Sequence, residues 1–307
     1  MSSMFRLTSK LPSILFTIAV LFCMHQNVCA QKTETSEVNF KSRKIKLGII
    51  AAAGLGSSYY ALNNLWYADY PRSPLHSFND NGEWLQMDKV GHFASSYHLG
   101  KIGFETFQYC GFNYNTSLFL GGSAGLIFLS GIEILDGTSA QWGFSWGDQI
   151  ANSSGTILFM LQEKFWKEQR ITMKFSFTNS SYAMFNSDQL GRNFQQRLLK
   201  DYNGQTYWAS YNISSFLSSD AAFPTWMNIA IGYGATEMTS AKNIVNSVNN
   251  FQRTREFYLS FDADLTKIKW PRKWMKTTAQ ILSFIKIPAP TFEMRSDGKV
   301  KMHALFF

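Results

Sequence analysis

Charge is what this 307-residue chain has least of. Asp, Glu, Lys and Arg make up 16% of it, against about 25% in an ordinary soluble domain. That excludes a charge-rich coiled coil and an intrinsically disordered chain, both of which need solvated side chains. Proline is also scarce, at 7 residues, and there is no low-complexity tract or repeat of 20 to 50 residues. Solenoid and proline-rich adaptor architectures are thereby excluded. Cysteine is almost absent, with 3 residues, two of them before residue 30. What is abundant is aromatic: 27 Phe, 13 Tyr and 9 Trp, a load common where rings sit at membrane boundaries.

Residues 1–30 read as a secretory signal peptide. Arg6 and Lys10 form the basic start, Leu15 to Cys23 the apolar stretch, and Val28-Cys29-Ala30 the cleavage site. The mature chain is expected to begin at Gln31. Cys23 follows Phe22 and Cys29 follows Val28, so neither has the small preceding residue that lipidation favours. Cleavage lowers the formal charge from +8 to +6 by removing Arg6 and Lys10. It leaves Cys110 as the one thiol, so no intrachain disulfide is expected in an oxidising compartment. The remaining cations cluster at Lys41 to Lys46, Lys164 to Lys174 and Lys267 to Lys276. They are interleaved with acids overall, which suits an anionic membrane surface better than a nucleic-acid groove.

Past a linker at 31–44, two halves follow with different periodicities. Residues 45–170 predict an apolar four-helix bundle, with helices near 45–66, 88–109, 116–135 and 146–167. Leu118 to Leu135 is apolar or small except for Glu133, and Gly121 and Gly125 stand at the spacing that lets helix backbones approach closely. Gly155 has the same packing role on the last helix. Residues 171–307 switch to period two. Met227, Ile229, Ile231 and Tyr233 alternate with Asn228, Ala230, Gly232 and Gly234; Phe257, Leu259 and Phe261 alternate with Tyr258, Ser260 and Asp262. Tyr207 to Ile213 and Thr172 to Phe177 predict further strands. Ser296-Asp297-Gly298 predicts the turn of a closing hairpin. A short amphipathic helix is expected near 273–285. The fold class is therefore α+β: helices first, then an antiparallel, aromatic-rich module of six or seven strands, a partial or small barrel-like sheet. Large apolar residues alternating with small or polar ones suit a strand with lipid on one side. Asp262 and Asp264 are expected to face water or a lumen.

Few residues in the helical half carry chemistry. Asp88 and His92 are four apart and share a helix face, with Lys89 beside them. Glu133 and Asp136 are three apart on the third helix. Ser145 and Asp148 fit a capping pair, and Asn152 and Gly155 continue that face. Three apolar helices each offering polar groups imply a common cluster, because burying such groups alone costs several kcal/mol. His92 with Glu133, Asp136 or Asp148 has the donor types of a metal site, but Lys89 would compete for the same oxygens. No cofactor or metal is expected. Gly54-Leu55-Gly56 lacks the third glycine of a dinucleotide fingerprint, since Tyr59 stands in its place.

Asp88-Lys89-x-x-His92-Phe93, then Glu133, then Ser145-x-x-Asp148-x-x-x-Asn152-x-x-Gly155 resembles the YfiM-like envelope family, domain of unknown function 2279. It is more distantly similar to VanZ-like membrane proteins, which share a His helix, a Glu helix and a late Asp/Asn/Gly helix. The resemblance covers about residues 45–170 and implies an envelope location without fixing a reaction. The expected role is a non-enzymatic structural or assembly component at the outer membrane or its periplasmic face. Its expected partners are membrane lipid and other envelope proteins, with no nucleic acid. The alternatives are a membrane-bound hydrolase or transferase using Asp88, His92, Glu133 and Asp148, and a small pore.

Overall fold

A computed structural model of the chain describes residues 39–67, 70–218, 222–242 and 251–307. The expected signal peptide lies outside the described residues, as does the 31–38 part of the linker. The chain divides into two compact units. Of the described residues, one comprises those up to Asp80 and Ser95–Lys167, the other Asn81–Ala94 and those from Glu168 onward. Residues 81–94, with Asp88, Lys89 and His92, thus group with the strands.

The first unit is helical. Helix α1 spans Phe40–Leu62 and is opened by the Asn39 side chain, which accepts from the Ser42 N–H at 2.9 Å. Helix α2 spans Met87–Tyr109 and contributes its part from Ser95 onward. A turn at Tyr114–Thr116 and a π-type turn at Ser117–Gly121 lead into α3, Ala124–Gly137. Helix α4 spans Trp146–Trp166. Glycine lets α2 touch the turn that leads into α3 backbone to backbone: a Cβ on Gly100 would lie 2.6 Å from Gly122 O, and one on Gly121 2.6 Å from Gly103 O. A Cβ on Gly125 would meet the Ser96 backbone. Around this seam sit Tyr97, Phe104, Leu118, Leu129 and Phe159, all buried, with Phe159 edge-on to Tyr97. Cys110 is buried in this unit, with its thiol donating to the Arg43 carbonyl at 3.7 Å.

The outside of these helices is apolar too. Helix α1 buries none of its residues, and Ile45, Ile49 and Leu55 are exposed. So are Ile127 and Ile134 of α3, and Ile150, Ile157 and Phe165 of α4. Among the described residues, two helical stretches, Phe40–Leu62 and Tyr114–Gly137, are long and apolar enough to cross a membrane by length and composition.

The second unit is built on a six-stranded antiparallel sheet: β1 Ile171–Phe177, β2 Gln205–Asn212, β3 Met227–Thr236, β4 Thr254–Ala263, β5 Ala289–Arg295 and β6 Val300–Phe306. Every strand pairs with its neighbour in sequence, and the order is β1-β2-β3-β4-β5-β6. Helix α5, Lys273–Leu282, lies between β4 and β5. Gly298, at φ +86, makes the β5–β6 turn possible without side-chain strain. The sheet is strongly curled. Phe306 on β6 stacks on Tyr258 of β4 at 4.6 Å and meets Trp208 of β2 at 6.0 Å.

Its two faces are inverted relative to a water-soluble sheet. The concave face buries Lys174, Ser176, Trp208, Ser210, Asn212, Asn228, Asp262, Thr291 and Glu293. The convex face of β3–β6 leaves Ile229, Ile231, Phe257, Leu259, Phe261, Phe292, Met294 and Met302 exposed. Helix residue Met87 covers another part of the unit, packing with Ala235 and Met238 against Tyr207 and Tyr233. Asp262 and Asp264, expected to face water or a lumen, are both buried, so the water alternative is corrected here. Asp262 is closed inside the concave face, where Lys174 neutralises it, and Asp264 caps the following turn through the Thr266 N–H and hydroxyl.

Candidate functional site

The candidate site of the first unit is a group of carboxylates gathered around Ser145. Ser145 precedes α4 in an extended conformation, so its hydroxyl can turn back on the helix start. Three bonds converge on it. Its N–H donates to Glu133 Oε2 at 3.1 Å, its hydroxyl donates to Asp80 Oδ1 at 2.6 Å, and its Oγ accepts from the Asp148 N–H at 3.1 Å. The capping pair expected from the sequence is thus one part of a larger junction. Asp136 accepts from the Tyr67 hydroxyl at 2.7 Å, which leaves it one turn from Glu133 but turned to a different donor.

Glu133 and Asp148 are both buried. Burial is the main cause that pushes the Glu133 carboxyl up to about 8, with Asp148, Asp136 and Asp80 adding in the same direction and the Ser145 N–H opposing them. Burial also raises the Tyr67 phenol, helped by Asp136. A carboxyl raised to about 8 keeps its proton near neutral pH. Carboxylate oxygens of this kind suit a proton or a hard cation as counter-charge.

Asn152 lies one turn beyond Asp148, fully buried. Its backbone carbonyl accepts from the Ser96 hydroxyl at 2.7 Å, and Ser96 also meets Thr156 Oγ1 at 2.7 Å. Gly155 is buried between them in sequence, on the same helix. Asp80 and Tyr67 were not legible as site residues. Asp80 sits in Asn79-Asp80-Asn81-Gly82, which has the composition of an ordinary turn, and Tyr67 follows an apolar helix with no polar spacing to mark it.

In the second unit, Asp88 and Lys89 pair with each other at 3.1 Å in the first turn of α2. The Tyr207 phenol is raised by burial and by Asp88. His92 is half-buried one turn later on the same helix. The concave face of the sheet carries a further polar chain that only Asp262 signalled. Lys174 Nζ meets Asp262 Oδ2 at 2.7 Å, and Ser210 donates to the same oxygen at 2.6 Å. Asn228 then donates to Ser210, Asn212 to Asn228, and Lys267 to Asn212. Lys286, fully buried, donates to the carbonyls of Phe261 and Ile287 at 2.7 Å. Burial brings its ammonium down to about 8.

Residues 77–164 match the model of a family described as predicted periplasmic lipoprotein (DUF2279), a domain of unknown function. The matched span holds Asp80, Asp88, His92, Glu133, Ser145, Asp148 and Asn152. It supports an exported protein of the cell envelope. No curated protein and no solved structure matches the chain.

Proposed function

We propose that the chain is a non-enzymatic structural or assembly component associated with the outer membrane, of the YfiM-like kind. Its sheet docks lipid and other envelope proteins, and its four helices form a bundle fixed by the Ser145 junction. The observation that carries this reading is the inverted sheet. A sheet in water turns its apolar face to a core and its polar face outward. Here Ile231, Leu259, Phe292 and Met302 are on the open side, while Lys174, Asp262, Asn228 and Thr291 are enclosed. Apolar outside and polar inside is the pattern of a strand wall against lipid, and continuous exposed apolar surface of this extent marks an interaction site.

Fractionation of the envelope tests it. Recovery in the outer-membrane fraction, released by detergent and not by salt, is expected. Recovery wholly in the soluble periplasm overturns the reading. Replacing Ile231, Leu259 and Phe292 together with serine should shift the chain towards the soluble fraction.

One observation favours a second reading, a membrane-bound hydrolase or transferase using Asp88, His92, Glu133 and Asp148. A carboxyl titrating at about 8 is poised to exchange a proton near neutral pH. Under that reading His92→Gln abolishes turnover and leaves the amount of folded protein unchanged. Under the preferred reading the same change lowers abundance.

A further inference from the structure

We propose that the segment from Leu265 to Leu282 is a basic, tryptophan-bearing anchor that seats one rim of the sheet on the phosphate groups of an anionic membrane surface. The inference rests on the membrane association proposed above and adds the rim and the headgroup chemistry.

Charge is the first observation. From Leu265 to Phe292 the sequence contains Lys267, Lys269, Arg272, Lys273, Lys276 and Lys286 and no acidic residue. Lys286 is buried, and Lys267 is held by Asn212 and Ser215 and paired with Glu168 at 3.4 Å. Lys269, Arg272, Lys273 and Lys276 are exposed, and no acidic side chain among the described residues pairs with them. The opposite rim differs. There Arg295 reaches Glu237 at 2.9 Å and Asp297 at 3.6 Å, and Lys299 reaches Asp297 at 3.1 Å. Arg295 and Lys299 at that end are neutralised within the protein; Lys269, Arg272, Lys273 and Lys276 at the α5 end have no acidic partner among the described residues.

Aromatic placement is the second observation. Trp274 on α5 is 61% exposed. Trp226 is exposed as well, and its carbonyl accepts from the Asp264 N–H at 2.8 Å, which fixes it beside the start of the segment. Exposed Phe216 is brought to the same rim by the bond from Lys267 to its neighbour Ser215, at 2.6 Å. Trp270 is pinned by its indole N–H on the Leu265 carbonyl. Helix α5 buries Ala279 and leaves Trp274 and Leu282 outward.

Continuity with the apolar wall is the third. Phe261 and Ile229, paired across β4 and β3 at this end, are both exposed on the convex face. Moving inward from the rim, a surface therefore meets free cations, then indole rings, then hydrocarbon. That is the order of phosphate, interface and acyl chain in a leaflet. An acidic protein partner would require the cations alone, and would leave the exposed rings and the wall without a role.

The test uses the purified full-length chain and flotation with two kinds of vesicle. One is phosphatidylcholine alone and the other contains about one-third phosphatidylglycerol. The wild-type chain is expected to prefer the anionic vesicles by at least about tenfold, and salt of about 0.5 M is expected to erase the preference, because exposed charges are screened within a few ångströms there. Replacing Lys269, Arg272, Lys273 and Lys276 with glutamine should remove that preference, each cation contributing at most about fivefold. Binding to neutral vesicles and the thermal melt should stay as in wild type. A wild-type chain that binds both vesicles equally, or a variant that keeps its preference, overturns the anchor and leaves the membrane reading standing. A chain that binds neither vesicle overturns both. Displacement by millimolar inorganic phosphate, but not by sodium chloride of matched ionic strength, would indicate a free-phosphate site and would also overturn the anchor.

Discussion

Lys174 on β1 and Asp262 on β4 meet at 2.7 Å with both side chains closed to solvent, although β2 and β3 lie between their strands in the sheet. The bond spans the concave face and exists because the sheet curls until those strands confront each other. Ser210 and the Ile287 N–H complete the carboxylate, and Lys286 stands 3.9 Å away. Removing one member of a buried pair costs about 3–5 kcal/mol, because the other charge stays buried and uncompensated. Asp262→Ala should show that loss in a urea midpoint. The paired change Lys174→Met with Asp262→Leu removes both charges, and it should recover most of it.

The Glu133 carboxyl predicts how the helical unit responds to pH. In the unfolded chain it titrates near the ordinary glutamate value, and in the fold at about 8. Below the unfolded value both states hold the proton, and the group contributes nothing to pH dependence. As pH rises towards 8 the unfolded state releases its proton while the fold retains it, so stability falls by about 1.4 kcal/mol for each pH unit in that window. Above 8 the loss levels off. Melting curves between pH 5 and pH 9 should therefore show a lower Tm at alkaline pH. Glu133→Gln keeps an oxygen to accept the Ser145 N–H and has no proton to release. It should flatten that slope and raise the Tm at pH 8 by several degrees.

The helix seam gives a contrast between two glycines. A Cβ on Gly121 would lie 2.6 Å from the Gly103 carbonyl oxygen and 2.9 Å from Phe104 Cα, both backbone atoms that cannot swing aside. Gly56, inside α1, has nothing within 4 Å of the same position. Gly121→Ala should cost about 1–3 kcal/mol by forcing α2 and the turn before α3 apart. Gly56→Ala should stabilise the chain by up to about 1 kcal/mol through helix propensity. Thermal denaturation of the two variants side by side checks both signs.

These cases show what the chain discloses in its sequence. Periodicity placed the strands within a few residues, because alternation such as Ile229, Ile231 and Tyr233 against Ala230 and Gly232 is a local property of a pleated strand. The Ser145-x-x-Asp148 cap was legible for the same reason. Asp80 was not, because its partner is 65 residues away and no spacing rule links them. The entry to α2 was hidden as well. Trp84, Leu85 and Gln86 take φ values of 45, 50 and 66, a left-handed turn with no glycine or asparagine to announce it. Tertiary bonds hold it, from the Trp84 N–H to Ala241 O and from the Tyr233 hydroxyl to Leu85 O. Which face of the sheet is enclosed also depends on the curl, and alternation is silent on that.

Ser145 offers the sharpest test of the carboxylate junction. Its hydroxyl caps α4 and also donates to Asp80, so Ser145→Ala removes two bonds and leaves the N–H to Glu133 intact. Loss of an N-cap alone costs about 1 kcal/mol, and glycine at a simple cap restores most of that. Here Asp80 also loses a charge-assisted donor, worth somewhat more than a neutral bond. Both Ser145→Ala and Ser145→Gly should therefore cost about 2 kcal/mol, while Ser145→Thr, which keeps the hydroxyl, should stay within about 1 kcal/mol of wild type. A double-mutant cycle with Asp80→Ala separates the two contributions. A coupling energy of about 0.5–3 kcal/mol is expected for directly bonded residues, and a value near zero would show that Ser145 serves α4 alone.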